Sequence, residues 1–233
     1  MREIKFPQSE SKRKLLDAAE QLFADRGFDA VSVRDITQAA KANVAAVNYH
    51  FGSRDGLISL VVMRYITPVN DERIARLDVL EKKFPGKVVP LEEVIDALVR
   101  PLAGIVRKSE LSERLFCKLM GRIFSMQGEG FPEALEEQIR ALSERFTKAF
   151  ARALPGVGEE ELIWRIHFLV GSMIHMLLNQ EMLVRLTNGA CGNPTMEAVL
   201  SRFIRFAAAG MREGTAAAQE PALAKGPQAT FDF

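Results

Sequence analysis

Apolar residues recur three and four positions apart along almost the whole chain, while alternation bounded by paired turns does not, so the pattern predicts an all-α fold. The first helix is expected from about Ser11 to Arg26, with Leu15, Leu16, Ala19, Leu22 and Phe23 on one face and Gly27 just past its end. A second, short helix opens at Ser32, whose hydroxyl can cap free amides while Asp35 completes a capping box, and it ends near Lys41. A third starts at Asn43, carries VAAVNYHF and stops at Gly52. Ser53 then caps a long fourth helix containing Leu57, Leu60, Val61, Arg64 and Tyr65, which meets a kink candidate at Pro68 and continues to about Lys83.

The Pro- and Gly-punctuated run FPGKVVP over 84–90 ends that connecting helix. Further helices are expected at 91–107, kinked at Arg100-Pro101, and at 111–126, 131–153, 159–187 and 194–212. Ser109, GEG at 128–130, LPGVG at 154–158 and NGACGNP at 188–194 separate them, and beyond Gly214 the periodicity gives way to an Ala-, Pro- and Gly-rich tail. The stretch 159–187 is apolar on nearly every side, which predicts burial all round. Arg165, His167, His175, Asn179, Gln180, Glu181 and Arg185 interrupt it too often for a membrane span. Burial by its own core on one side and by a second subunit on the other, with the helix from Thr195 to Met211 as partner, predicts a four-helix interface about a two-fold axis.

Composition narrows the class less than the pattern does. With 48% hydrophobic and 26% charged residues over 233 positions, the chain is globular and long enough for a sizeable core. Its net charge of +1, with ten Lys/Arg against eight Asp/Glu in the first 65 residues, does not by itself point to nucleic acid. Cys117 and Cys191 lie far apart in apolar surroundings, which reads as two small core residues in a reducing cytosol. The stretch MREIKFPQSESKRK has no apolar run of the signal-peptide kind, so a cytoplasmic location is expected.

Two short helices joined by a tight turn and preceded by a supporting helix make a helix-turn-helix, whose second helix fits the major groove of DNA. Val33, Ile36, Ala39, Ala40, Val44 and Val47 supply a packing face, Ala39 and Ala40 being small enough for close helix crossing. The start of the third helix, Asn43, Val44, Ala45 and Ala46, is expected at the groove, with Asn48 suited to base edges and Tyr49, His50 and Arg54 to phosphates. Arg34 suits a guanine or a phosphate, and Ser32 opens a helix N-terminus that can hold phosphate. His50 equally suits an aromatic helix end packed on the core. No nucleophile elbow, phosphate loop or clustered carboxylates with a base occurs, so an enzyme is not expected, nor is a cofactor.

The run AKANVAAVNYHFGSRDGL, after the helix DAAEQLFADRGF, resembles the DNA-binding signature of the TetR family of repressors, in which a short apolar helix ends in Tyr-His-Phe and a Lys or Arg follows. Lys41 stands where a turn Gly is common, and Asn48 where an aromatic often sits. The resemblance implies a helix-turn-helix domain over 1–52, a connecting helix over 53–83, a ligand-binding and dimerisation domain over 84–213 and a tail over 214–233. Its implied partners are double-stranded operator DNA, a second copy of the chain and a small apolar effector, with no membrane. A multidrug or aromatic-compound sensor of the same family, and a helical interaction protein without DNA binding, are the alternatives.

For the effector, Phe116, Met120, Phe124, Trp164 and Phe168 form aromatic and Met stripes that are core or cavity wall, with room left by Gly171 and polar contacts from Arg122, His167, His175 and Asn179. His167 and His175 stand about 12 Å apart along a helix axis, so no metal pair is expected. FCKLMGRIFS, ELIWRIHFLVGSM and FAAAGMRE resemble the sensor domain of a TetR subgroup related to a Pseudomonas regulator responsive to long-chain fatty acids, which implies a fatty acid or acyl-CoA as ligand.

Overall fold

The computed structural model describes residues 9–105, 113–125 and 133–213. Among them the chain forms α1 (Glu10–Arg26), α2 (Val33–Ala39), α3 (Val44–Phe51), α4 (Arg54–Lys83), α5 (Leu91–Ile105), α6 (Glu113–Ser125), α7 (Glu133–Ala153), α8 (Glu159–Leu178), α9 (Gln180–Leu186) and α10 (Met196–Arg212), with no strand. The expected turns at Ser109 and at 128–130, and the tail from 214, lie outside the described residues.

The first four helices start and stop where their side chains satisfy free backbone groups. Ser9, Ser32, Asn43 and Ser53 each accept a hydrogen bond from an amide in the following first turn, and Ser32 with Asp35 forms the full capping box. Gly27 closes α1 at a φ of 96°, and a side chain there would also run into the Arg122 guanidinium. Lys41, in the turn between α2 and α3, takes a φ of 52°, so the position where a Gly is common does need left-handed backbone.

Two hydrophobic cores result. One gathers Leu15, Phe23, Ile36, Val47 and Leu57 of α1–α4 together with Phe116, Leu119, Met120 and Ile123 of α6. The other gathers Leu77, Ile95, Leu98, Phe150, Leu169 and Phe203 of α4, α5, α7, α8 and α10. Helix α4 serves both, with Leu57 to Ile66 in the first and Val69 to Leu80 in the second. Pro68 falls at the crossing and is exposed, and the helix continues through it. Pro101 is buried, and α5 likewise continues through it.

Three sequence expectations need correction. The helix expected over 159–187 is broken at Asn179 (φ −120°, ψ 18°), which caps α8 by donating both its backbone N–H and its side-chain amide to the His175 carbonyl. Helices α6, α7 and α10 cover one side of α8, burying Leu162, Leu169 and Met173, while Ile163, Trp164 and Phe168 face outward on the side that the sequence reading assigns to a second subunit. Ala39 and Val44 are exposed, so the packing face of the short helices rests on buried Ile36 and Val47 with Val33 and Ala40 packed against the same core. Cys117 and Cys191 are half-buried, Cys191 lying in the turn after α9 within reach of the Thr187 hydroxyl. By length and composition α8 is able to cross a bilayer, yet Arg165 on it donates to the Met211 carbonyl and its buried face belongs to the C-terminal core.

Candidate nucleic-acid interface

Helix α3 is anchored by Val47 alone among its fully buried residues, which leaves most of its circumference available. Val44, Ala45 and Asn48 are exposed, Tyr49 is 86% exposed, and Ala46 and His50 are half-buried. The His50 ring makes edge contacts with both Tyr49 and Phe51, so it supports the helix end as well as bordering the open face. Asn43 spends its side-chain oxygen on the Ala45 amide, and the Ser32 hydroxyl is committed to Asp35 at 2.5 Å, holding that carboxylate below its usual range. Arg34 stands exposed in the first turn of α2.

Arg54 is placed differently from the others. Its Nε donates to the Val31 carbonyl at 3.1 Å and its Nη2 to the Phe28 carbonyl, which ties the start of α4 to the α1–α2 connection. Asn48 and Tyr49 on α3 and Arg34 on α2 are therefore left exposed as donors, with Arg54 bracing the backbone between α1 and α2.

The ten residues expected at a ligand do not converge on one cavity. Phe116, Met120 and Phe124 line a cavity of 10 Å³ with Leu102, Cys117, Ile174, Leu177 and Leu178, between α5, α6 and α8. Arg122, on the same helix, donates to the Asp25 carbonyl of α1 at 2.9 Å. Trp164, His167, Phe168, Gly171 and His175 are exposed on the outward face of α8, where the Trp164 and Phe168 rings stack at 5.8 Å. Asn179 lies beside His175 at the helix break, its amide 3.2 Å from His175 Nδ1.

Two buried polar clusters escaped the sequence reading. In the first, Glu20 of α1 is only 3% exposed: Tyr65 Oη donates to its Oε2 at 3.0 Å, and Arg64 Nη1 lies 2.9 Å from its Oε1 and 2.8 Å from Asp17. Burial pushes the Glu20 carboxyl up to about 7 against the pull of Arg64 and Tyr65. In the second, Arg73 of α4 sits in the C-terminal core beside Asn70. The available signal was a charged residue in core register: Glu20 follows Leu16 by four residues and precedes Phe23 by three, and Arg73 stands midway between Val69 and Leu77.

Two family models match the chain, one described as bacterial regulatory proteins of the tetR family over residues 15–61 and one as Tetracyclin repressor-like, C-terminal domain, over residues 96–210. Together they cover more than half of it. The chain is 28% identical over 132 residues to the HTH-type transcriptional regulator AcrR of Shigella flexneri, covering 54% of this chain and 58% of that one. It is 39% identical over 89 residues to the HTH-type transcriptional repressor Rv3405c of Mycobacterium tuberculosis, covering 38% and 43%. The alignments span 27% to 58% of the curated relatives' lengths. A crystal structure of a TetR-like transcriptional regulator from Rhodococcus sp. RHA1 shares the fold at a TM-score of 0.58 and 18% identity, covering 89% of this chain and 98% of that one. With a helix-turn-helix in front and a repressor-type helical domain behind it, the chain belongs to the TetR family of bacterial transcriptional regulators.

Proposed function

We propose that this regulator is a homodimeric repressor that holds operator DNA through α3 and the start of α2 and releases it when a small apolar effector enters the C-terminal half. The observation that carries DNA binding is the open face of α3, where Asn48 and Tyr49 stand exposed, with Arg34 exposed at the start of α2, while the capping box and Arg54 hold the supporting backbone. Asn48 is suited to a base edge and Tyr49 to a phosphate. The second copy is supported by the outward apolar face of α8 and α10, where Ile163, Trp164, Phe168 and Phe206 are exposed. A two-fold pairing there presents two copies of α3 to a palindromic site.

The effector reading rests on the cavity between α5, α6 and α8, whose lining is wholly apolar apart from Cys117. At 10 Å³ it admits no more than about one water, so an effector enters only by parting these helices. A long-chain fatty acid or an acyl thioester fits such a lining, since each methylene transferred from water is worth about 0.8 kcal/mol. Only a difference in effector affinity between the DNA-bound and free arrangements releases DNA.

Selection of duplexes from a random pool on the purified protein tests the central claim. A palindromic consensus is expected, with affinity that falls steeply with salt. Tyr49→Ala is expected to weaken every selected site and lower the salt slope by about one, whereas Asn48→Ala relaxes the preference at one position of each half-site. Recovery of no consensus rejects the repressor reading.

A further inference from the structure

Among the described residues, Arg73 is a cation with no anion beside it. It is 8% exposed, enclosed by α4, α5 and α8, and its three hydrogen bonds go to neutral groups. Nε donates to the Leu98 carbonyl at 2.7 Å, Nη1 to Asn70 Oδ1 at 3.1 Å, and Nη2 reaches Met173 Sδ at 3.8 Å. Among the described residues no carboxylate pairs with it, and burial alone brings its pKa down to about 10, so it keeps its proton at neutral pH. Of the acids flanking it on α4, Asp71 is exposed and Glu72 pairs with Arg76, while Asp96 on α5 pairs with Arg76 and Arg100. Next to it Asn70, 5% exposed, has an amide nitrogen with no acceptor among the described residues.

A structural role covers part of this. Pro101 cannot donate to the Ala97 carbonyl, and Arg73 reaches the neighbouring Leu98 carbonyl, so the guanidinium steadies α5 where its ladder is interrupted. A neutral donor serves that purpose equally well. It explains neither a buried charge, whose desolvation costs several kcal/mol unless a counter-charge repays it, nor the second idle donor alongside. A trapped water satisfies the Asn70 amide and leaves the charge uncompensated.

We infer that Arg73 and Asn70 form the anchor for a carboxylate group of the effector, so that the effector is a free acid with an apolar tail and not a neutral ester or thioester. This rests on the reading of the C-terminal half as a sensor. The guanidinium carries five N–H donors and its present bonds leave some of them idle, which together with the Asn70 amide suits a planar carboxylate. The apolar cavity begins about one turn away along both supporting helices: Leu98 is followed by Leu102, and Met173 by Ile174 and Leu177, all three of them lining it. An acid group at Arg73 therefore places its tail against Leu102, Phe116 and Met120.

The test compares decanoate with its uncharged amide, decanamide, by titration into the full-length protein. Decanoate is expected to bind about tenfold more tightly or better, as a charge-assisted pair is worth over a neutral one. Arg73→Met, which replaces the charge with an apolar side chain of similar length, is expected to fold and to bind both probes within about twofold of each other. Should that variant not fold, Arg73→Lys keeps the charge without the planar fork, and decanoate affinity falls several-fold while decanamide affinity holds. Equal binding of the two probes to the unaltered protein overturns the anchor and leaves an apolar sensor standing. A carboxylate preference that survives Arg73→Met overturns it as well. Binding of neither probe overturns the anchor together with the alkyl-effector reading, and leaves operator recognition to its own test.

Discussion

Glu20 occupies a position its helix would ordinarily give to a leucine. Folding buries its carboxyl beside Arg64 and Tyr65, and its pKa rises from 4.5 to about 7. The folded protein thus holds this proton more tightly than the unfolded chain, and the stability linked to it is present in full below about pH 4.5 and lost as the pH climbs through about 7. Glu20→Gln is expected to flatten that part of the pH dependence, on the order of 3 kcal/mol across the window, in urea unfolding at about pH 5 and about pH 8. An unchanged slope assigns the dependence to other groups. Two glycines give opposite expectations. A Cβ on Gly56 would sit 2.2 Å from the Phe51 carbonyl oxygen, where α4 starts against the end of α3, so Gly56→Ala should cost about 1–3 kcal/mol. Gly104 in α5 has open space around it, and Gly104→Ala should stabilise by about 0.5–1 kcal/mol in the same thermal unfolding series.

At the scale of elements, the helices legible from the sequence are those whose ends are written in side chains. Ser32 with Asp35, Asn43, Ser53 and Gly27 mark the limits of α1 to α4 within a residue or two, because a cap is a local chemical event. Helices α8 and α9 were harder to read, since an apolar stretch carries no label saying which side meets its own core, and the break at Asn179 has no Gly or Pro beside it to announce it. The same ambiguity scattered the expected effector residues: Phe116 and Trp164 belong to similar stripes, yet one is buried against Tyr65 and the other faces out. Phe168 at 64% and Phe206 at 72% exposure make the outward face of α8 and α10 the surface for a second copy under the dimer proposal. Phe168→Glu with Phe206→Glu is expected to give a folded monomer by sedimentation, with helical content retained. A dimer that persists would move the interface elsewhere.

Across the whole molecule, α6 offers the proposed effector response a route to the DNA-binding helices beside the long connecting helix α4. Phe116, Leu119, Met120 and Ile123 belong to the N-terminal core, yet Phe116 and Met120 also wall the apolar cavity. On its other side α6 is tied to the end of α1 by Lys118 to Asp25 at 3.4 Å and by Arg122 to the Asp25 carbonyl. An effector that parts α5, α6 and α8 therefore pushes on α1, and α1 supports α2 and α3. If the bonds to Asp25 transmit that push, removing them should weaken the coupling without altering either binding site. Lys118→Ala with Arg122→Ala is accordingly expected to keep operator affinity without effector and effector affinity without operator within about twofold of the parent. The drop in operator affinity caused by saturating effector should shrink by about 0.5–2 kcal/mol, the range found for residues that carry coupling without touching ligand. Coupling is reciprocal, so the same shrinkage has to appear in effector affinity measured with and without operator, and a change seen in only one of the two directions would trace to a disturbed site.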